Sequence, residues 1–232
     1  MASQGKRLSK AREMVEQEKQ YTIQEAAKLL TEFPAAKFDE SVDIAVKLGV
    51  DPKKAEENIR GTVSLPHGTG KTLRVVVFCR GEKIKEATDA GADFAGAEDL
   101  VQRVEKEGWL DFDAAIATPD VMAQVGRIGK ILGPRGLMPN PKVGTVTFDV
   151  AKAVTAVKSG RVEFRVEKAG IVHMAVAKVS FGAQKIEENL VSVIDALVKA
   201  KPQTSKGVYL QAINVSTTMG PGITVNPATF RI

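Results

Sequence analysis

Leu73 to Cys79 is a nearly continuous apolar run, with Val75, Val76, Val77 and Phe78 in direct succession. A strand with one face in water alternates apolar and polar residues, so this one has to be covered on both faces. Strands of that kind belong to parallel sheets held between layers of helix. The residues that follow supply such layers. Helical patterns occupy about 82 to 90 and 97 to 107, Ala114 to Ala117 forms a short apolar strand after Asp113, and Pro119 stands where a proline can open the next helix. This β-α-α-β-α order predicts a small, parallel, three-layer sheet.

The two ends of the chain read differently. Thr22 and Glu25 form a capping-box pattern ahead of Ala26, Ala27, Leu29 and Leu30, which predicts a helix over about 23 to 31, and Pro34 stops it. Phe38, Val42, Ile44, Val46 and Leu48 share one parity while Asp39, Ser41, Asp43 and Lys47 hold the other, the mark of a strand with one wet face. The same alternation returns at Val162, Phe164 and Val166, and strand-like runs cover Ile171 to Phe181 and Val208 to Val215. Between them Ile186, Leu190, Val193, Ile194, Leu197 and Val198 repeat at helical spacing, and Pro202 ends the element. Lys6 to Lys19 is polar and mixed in charge, a frayed helix or an arm. Turn-prone junctions near Pro66 to Gly70 and at Ser159 and Gly160 suggest a central block inserted between two parts of one outer domain.

Composition narrows the function classes. With 232 residues and 44% hydrophobic content the chain can bury a substantial core. A single cysteine, Cys79, excludes an intrachain disulfide and a Cys-rich zinc cage, and fits a reducing, cytoplasmic setting. The charged N-terminus is followed by no apolar leader, and no run approaches ~20 apolar residues, so neither export nor a membrane span is expected. Net charge is +5, and residues 160 to 232 carry nine Lys/Arg against five Asp/Glu. Two stretches lack acids altogether: Val121 to Phe148, with Arg127, Lys130, Arg135 and Lys142, and Ala196 to Ile232, with Lys199, Lys201, Lys206 and Arg231. A polyanion-facing surface must exclude carboxylates as well as gather cations. Aromatic content of 5% gives little material for a base-stacking platform, which points toward recognition of RNA shape, backbone and hydroxyls.

Catalytic signals are missing. Gly68-Thr69-Gly70-Lys71-Thr72 resembles the tail of a phosphate-binding loop, but Leu65 stands where the first glycine belongs and a strand follows where a helix should open. A flexible hinge is the better reading. His67 and His173 have no metal-ligand spacing, Cys79 has no cation or helix N-terminus beside it, and no Gly-x-Ser-x-Gly elbow occurs. Gly126 to Pro141, rich in glycine and proline around Arg127, Lys130 and Arg135, is either a phosphate-facing loop or a rigid structural one. Ser216 to Gly222, expected to start where a strand ending at Val215 runs out, is either a tight turn or a place where small residues and hydroxyls admit an RNA backbone.

Several long stretches carry a resemblance: Ala36 to Val42, Gly61 to Gly68, Ile131 to Lys142, and Ser216 to Gly220. In that order they look like the family of bacterial large-ribosomal-subunit protein one. The resemblance implies an α/β fold of two domains. One is an outer split β-α-β domain made by both chain ends, residues 1–67 and 160–232. The other is an inserted Rossmann-like three-layer domain, residues 68–159. It also implies a non-enzymatic, monomeric cytoplasmic protein without metal or cofactor. Its partners would be the stalk region of large-subunit rRNA and the rest of the subunit, deacylated tRNA leaving the exit site, and the messenger of its own operon, which it would repress. The implied RNA contacts are Lys37, Phe38, Ser41, Arg165, Lys168, Thr217, Thr218, Met219 and Gly220. On this footing the cations supply salt-dependent phosphate attraction, and loss of the Thr217 hydroxyl is expected to cost on the order of 1 to 3 kcal/mol of binding. A nucleotide-using enzyme, resting on the central sheet and the Gly-Thr-Gly-Lys-Thr string, and a general RNA chaperone are the competing readings.

Overall fold

A computed structural model describes residues 5–16, 18–205 and 207–230, so Lys206 and Arg231 of the acid-free C-terminal stretch lie outside the described residues. From the N-terminus come α1 (Lys6–Glu13), α2 (Ile23–Glu32), β1 (Ser41–Leu48) and β2 (Arg60–Ser64). Next are β3 (Val75–Phe78), α3 (Glu82–Asp89), β4 (Phe94–Gly96), α4 (Glu98–Glu107), β5 (Ala114–Ala117), α5 (Met122–Val125), α6 (Gly129–Leu132) and α7 (Val150–Lys158). Then β6 (Arg161–Arg165), β7 (Ile171–Lys178), α8 (Ala183–Lys199), β8 (Leu210–Thr217) and β9 (Gly222–Val225) follow. By its internal contacts the chain divides into two compact units, Met1–Gly70 with Val162–Ile232, and Lys71–Arg161. The junctions read from sequence, 67/68 and 159/160, fall a few residues earlier.

In the 71–161 unit β3 is the centre of a parallel sheet in the order β4-β3-β5. Val75 and Val77 pack into one apolar cluster with Ala87 of α3 and Val150, Val154 and Val157 of α7. Val76 and Phe78 enter the opposite cluster with Val101 and Val104 of α4 and Val125, Ile128 and Leu132. Alternate side chains thus feed two different cores, which is why the run needs no polar residue. The expected β-α-α-β-α order misses β4. Three residues with a glycine and two half-buried positions carry too little alternation to stand out, yet Phe94 and Ala95 pair with Val76 and Val77. The glycine-rich 126–141 segment also departs from expectation, because a short 3-10 turn at Gly126–Ile128 and α6 make its first part helical. Trp109 sits edge-on to Phe94 with Arg103 over its ring, and Cys79 is fully buried, with its thiol pushed up chiefly by that burial.

The other unit is built on a four-stranded antiparallel sheet, β7-β1-β8-β9, and a separate β2-β6 pair. Val42, Ile44, Val46 and Leu48 of β1 face a core that α2 and α8 complete through Ala26, Leu30, Ile186, Leu190 and Leu197. Helix α2 begins as the sequence predicts. Thr22 Oγ1 accepts the Glu25 N–H at 3.2 Å and Glu25 Oε2 accepts the Thr22 N–H at 2.9 Å. Phe38 does not join the parity of β1. The strand starts at Ser41, and Phe38 is 54% exposed. Buried Asn189 of α8 ties down the 67–68 segment: its Oδ1 accepts the His67 N–H at 3.2 Å and its Nδ2 donates to the carbonyls of Gly68 and Val176 at 2.9 and 2.8 Å.

Candidate functional site

Strand register decides which predicted residues meet. β1 lies between β7 and β8 with Ser41 opposite Lys178 and Val42 opposite Thr217, so the start of β1 and the ends of β7 and β8 share one edge of the sheet. Thr218 extends the ladder there. Its N–H donates to the Ser41 carbonyl at 3.0 Å, and its Oγ1 accepts the Ser41 N–H at 3.0 Å. Lys178 Nζ donates to Ser41 Oγ at 2.9 Å and lies 3.3 Å from the Asp39 carbonyl.

Both carboxylates at this edge accept hydrogen bonds from the protein itself, Glu40 from a buried position and Asp39 from an exposed one. Asp39 accepts from the Ser180 N–H and hydroxyl at 3.1 and 2.7 Å, holding the turn after β7. Glu40 is buried, accepts the Met219 N–H at 2.9 Å and pairs with Arg7 at 3.2 Å. Lys37, Phe38, Thr218 and Met219 face outward beside the exposed Asp39, Met219 being 53% exposed. A surface of exposed apolar area, hydroxyl and cation, with Glu40 buried and Asp39 engaged by Ser180, suits a polyanion. Gly220 closes the loop where no larger residue fits, since a Cβ there would lie 2.3 Å from Thr217 Oγ1.

The face of the sheet opposite the core continues this edge. Its cross-strand rows read His173, Ala45, Asn214 and Thr224, then Ala175, Asp43, Ser216 and Gly222. Most of these are small or uncharged. Partial burial raises the Asp43 carboxyl above its ordinary range, against the pull of Lys178.

Not every predicted contact joins the cluster. Lys37, Phe38, Ser41 and Thr217 to Gly220 are brought together, but Thr217 is only 4% exposed, being the last residue of β8 and not part of the loop. Its hydroxyl lies against Gly220, and the exposed threonine at this end of β8 is Thr218. Arg165 ends β6, and Lys168 lies in the turn before β7. Because Ile171 pairs with Lys47, that turn is at the far end of β1, about 20 Å from Ser41 at ~3.3 Å per residue. Arg7, Glu40, Lys178 and Asp43 were not among the contacts expected from the sequence. Strand parity alone could have found Asp43, whereas Arg7 meets Met219 across 212 positions.

In the other unit Arg127, Lys130, Arg135 and Lys142 are all exposed. The Gly-Thr-Gly-Lys-Thr string opens no helix, and Lys71 is paired with Asp113 at 2.5 Å, which holds that carboxyl below its usual range. Among the described residues no group of His, Cys, Asp and Glu is arranged to hold a metal, and no helix is long and apolar enough to cross a membrane.

Compared with known protein families, residues 30–221 match the Ribosomal protein L1p/L10e family. The chain belongs to this family. An L1p/L10e chain is a ribosomal protein of the large subunit that associates with rRNA, and the family is structural and not enzymatic. The matched span holds Lys37 to Ser41 and the Thr217 to Gly220 segment, and it excludes α1 with Arg7.

Proposed function

We propose that this L1p/L10e protein binds the helix-and-loop stalk of large-subunit rRNA through the edge formed by residues 37–41 and 217–220. The observation that carries the reading is the meeting of Lys37, Phe38, Thr218 and Met219, all exposed, at one end of the sheet where Glu40 is buried and Asp39 is engaged by Ser180. Phe38 and Met219 supply apolar contact for an unpaired base, and Thr218 and Ser41 meet 2′-hydroxyls. Arg165 and Lys168 reach a second stretch of the same RNA further along the sheet, as phosphate partners. The two units fold as an outer RNA-binding domain and an inserted domain, whose acid-free cations Arg127, Lys130, Arg135 and Lys142 add backbone attraction.

On the subunit this attachment assists the departure of deacylated tRNA from the exit site. A messenger from the protein's own operon that presents a similar RNA fold competes for the same edge, and its occupation represses translation. The protein acts in the cytoplasm as a monomer when off the ribosome, without cofactor.

Filter binding of the full chain to a stalk-rRNA transcript, with an unrelated duplex and the operon messenger as competitors, tests this. Tight binding displaced by the messenger and not by the duplex is expected. Equal displacement by the duplex would make the protein a general RNA chaperone. A micromolar heat signal with ATP or NAD would revive the nucleotide-enzyme reading.

A further inference from the structure

We infer that Arg7 is a positioning residue for RNA binding, acting from a helix outside the family match to hold the Thr217–Gly220 loop in its binding shape; this rests on the reading above. Its Nη2 donates to the Met219 carbonyl at 2.8 Å, and its Nη1 donates to the Pro34 carbonyl and Glu40 Oε1, both at 3.2 Å. Glu40 Oε2 in turn accepts the Met219 N–H at 2.9 Å. Both backbone polar groups of Met219 are therefore held by one Arg7–Glu40 pair, while the Met219 side chain stays exposed.

The loop has few other restraints. Gly220 N–H reaches the Thr217 carbonyl at 3.2 Å, and Thr218 is fixed to Ser41, which leaves Met219 to the ion pair. Glu40 is 6% exposed, and a buried carboxylate stripped of its cation cannot keep that geometry without cost. The guanidinium suits the task because its planar fork donates in two directions at once. Helix α1 buries only Ala11 and has too few residues to be stable by itself, so its docking and the loop's order are one event. A loop already ordered before contact binds more tightly than one that must be ordered by the RNA.

The test uses the full chain and the stalk transcript. Arg7→Gln should weaken binding about ten-fold, the loss expected when about 1.4 kcal/mol of ordering is transferred to the binding step. The slope of affinity against salt should not change, because Arg7 touches protein and not phosphate. Lys10→Gln on the same helix should bind as the parent does, and Glu40→Gln should add little to Arg7→Gln. In the free protein Arg7→Gln should speed amide exchange at Met219 and Gly220 and leave Ile44 and Val46 protected, a readout a general loss of stability would not give. Parental affinity in Arg7→Gln overturns the inference, as does a salt slope reduced by about one, which would make Arg7 a phosphate contact. Failure of the parent chain to bind the transcript would overturn the functional reading instead.

Discussion

Thr218 finishes the sheet edge by giving Ser41 both halves of a strand pair, its N–H donating to the Ser41 carbonyl and its Oγ1 accepting the Ser41 N–H, each at 3.0 Å. A side-chain oxygen here stands in for a backbone carbonyl. Thr218→Val removes that acceptor and frees the loop, so rRNA affinity should drop about ten-fold, equivalent to ~1.4 kcal/mol, with an unchanged salt slope. Thr218→Ser, which keeps the oxygen, should bind as the parent does in the same titration.

Phe38 offers the opposite kind of test, since a side chain 54% exposed contributes little to folding. Phe38→Ala should leave the thermal midpoint within about a degree or two and weaken stalk-RNA binding by ~1 to 3 kcal/mol, the range for a base stacked on an aromatic ring. Loss of stability with intact affinity would remove Phe38 from the interface.

Periodicity made most of this fold legible. β1, α8 and the doubly covered β3 declared themselves because a strand or helix facing a core must repeat its apolar residues at 2.0 or 3.6. β4 stayed hidden because three residues are shorter than any period can establish. The site was legible only as segments. Residues 37–41 and 217–220 were named from resemblance, but their meeting depends on the register of β1 against β8, and the exclusion of Lys168 from their neighbourhood depends on β1 against β7. Thr217 and Thr218 are adjacent and chemically identical, and the end of β8 turns one inward and the other out. The Arg7–Glu40 pair joins residues 33 apart through the packing of α1, and no local pattern encodes it.

Asn189 tests the anchoring of the segment that leaves the outer unit. Its amide satisfies the His67 N–H and the Gly68 and Val176 carbonyls from a fully buried position. Asn189→Ala leaves those groups unpaired in the interior and should destabilise the 1–70 and 162–232 unit by about 2 to 3 kcal/mol in denaturant titrations. Asn189→Asp should do no better, since a carboxylate cannot donate to the two carbonyls.

Tyr209 governs the alkaline limit of the same unit. Burial pushes its phenol up to about 12, and its hydroxyl donates to the Leu197 carbonyl at 2.9 Å. The folded protein therefore holds a proton that the unfolded chain releases near pH 10. Stability should be level below about pH 10 and fall between about 10 and 12, because the unfolded state binds fewer protons over that window. Tyr209→Phe should start about 1 kcal/mol less stable from the lost hydrogen bond and show a shallower fall across the window in alkaline melts.

The single tryptophan and the single cysteine, Trp109 and Cys79, both belong to the 71–161 unit, while the only two tyrosines, Tyr21 and Tyr209, belong to the other. The molecule thus arrives with its optical and chemical labels already sorted. Indole fluorescence and thiol alkylation follow the insert alone, and phenol absorbance follows the remainder. The order in which the two halves melt can be measured on the natural chain without adding a probe to either.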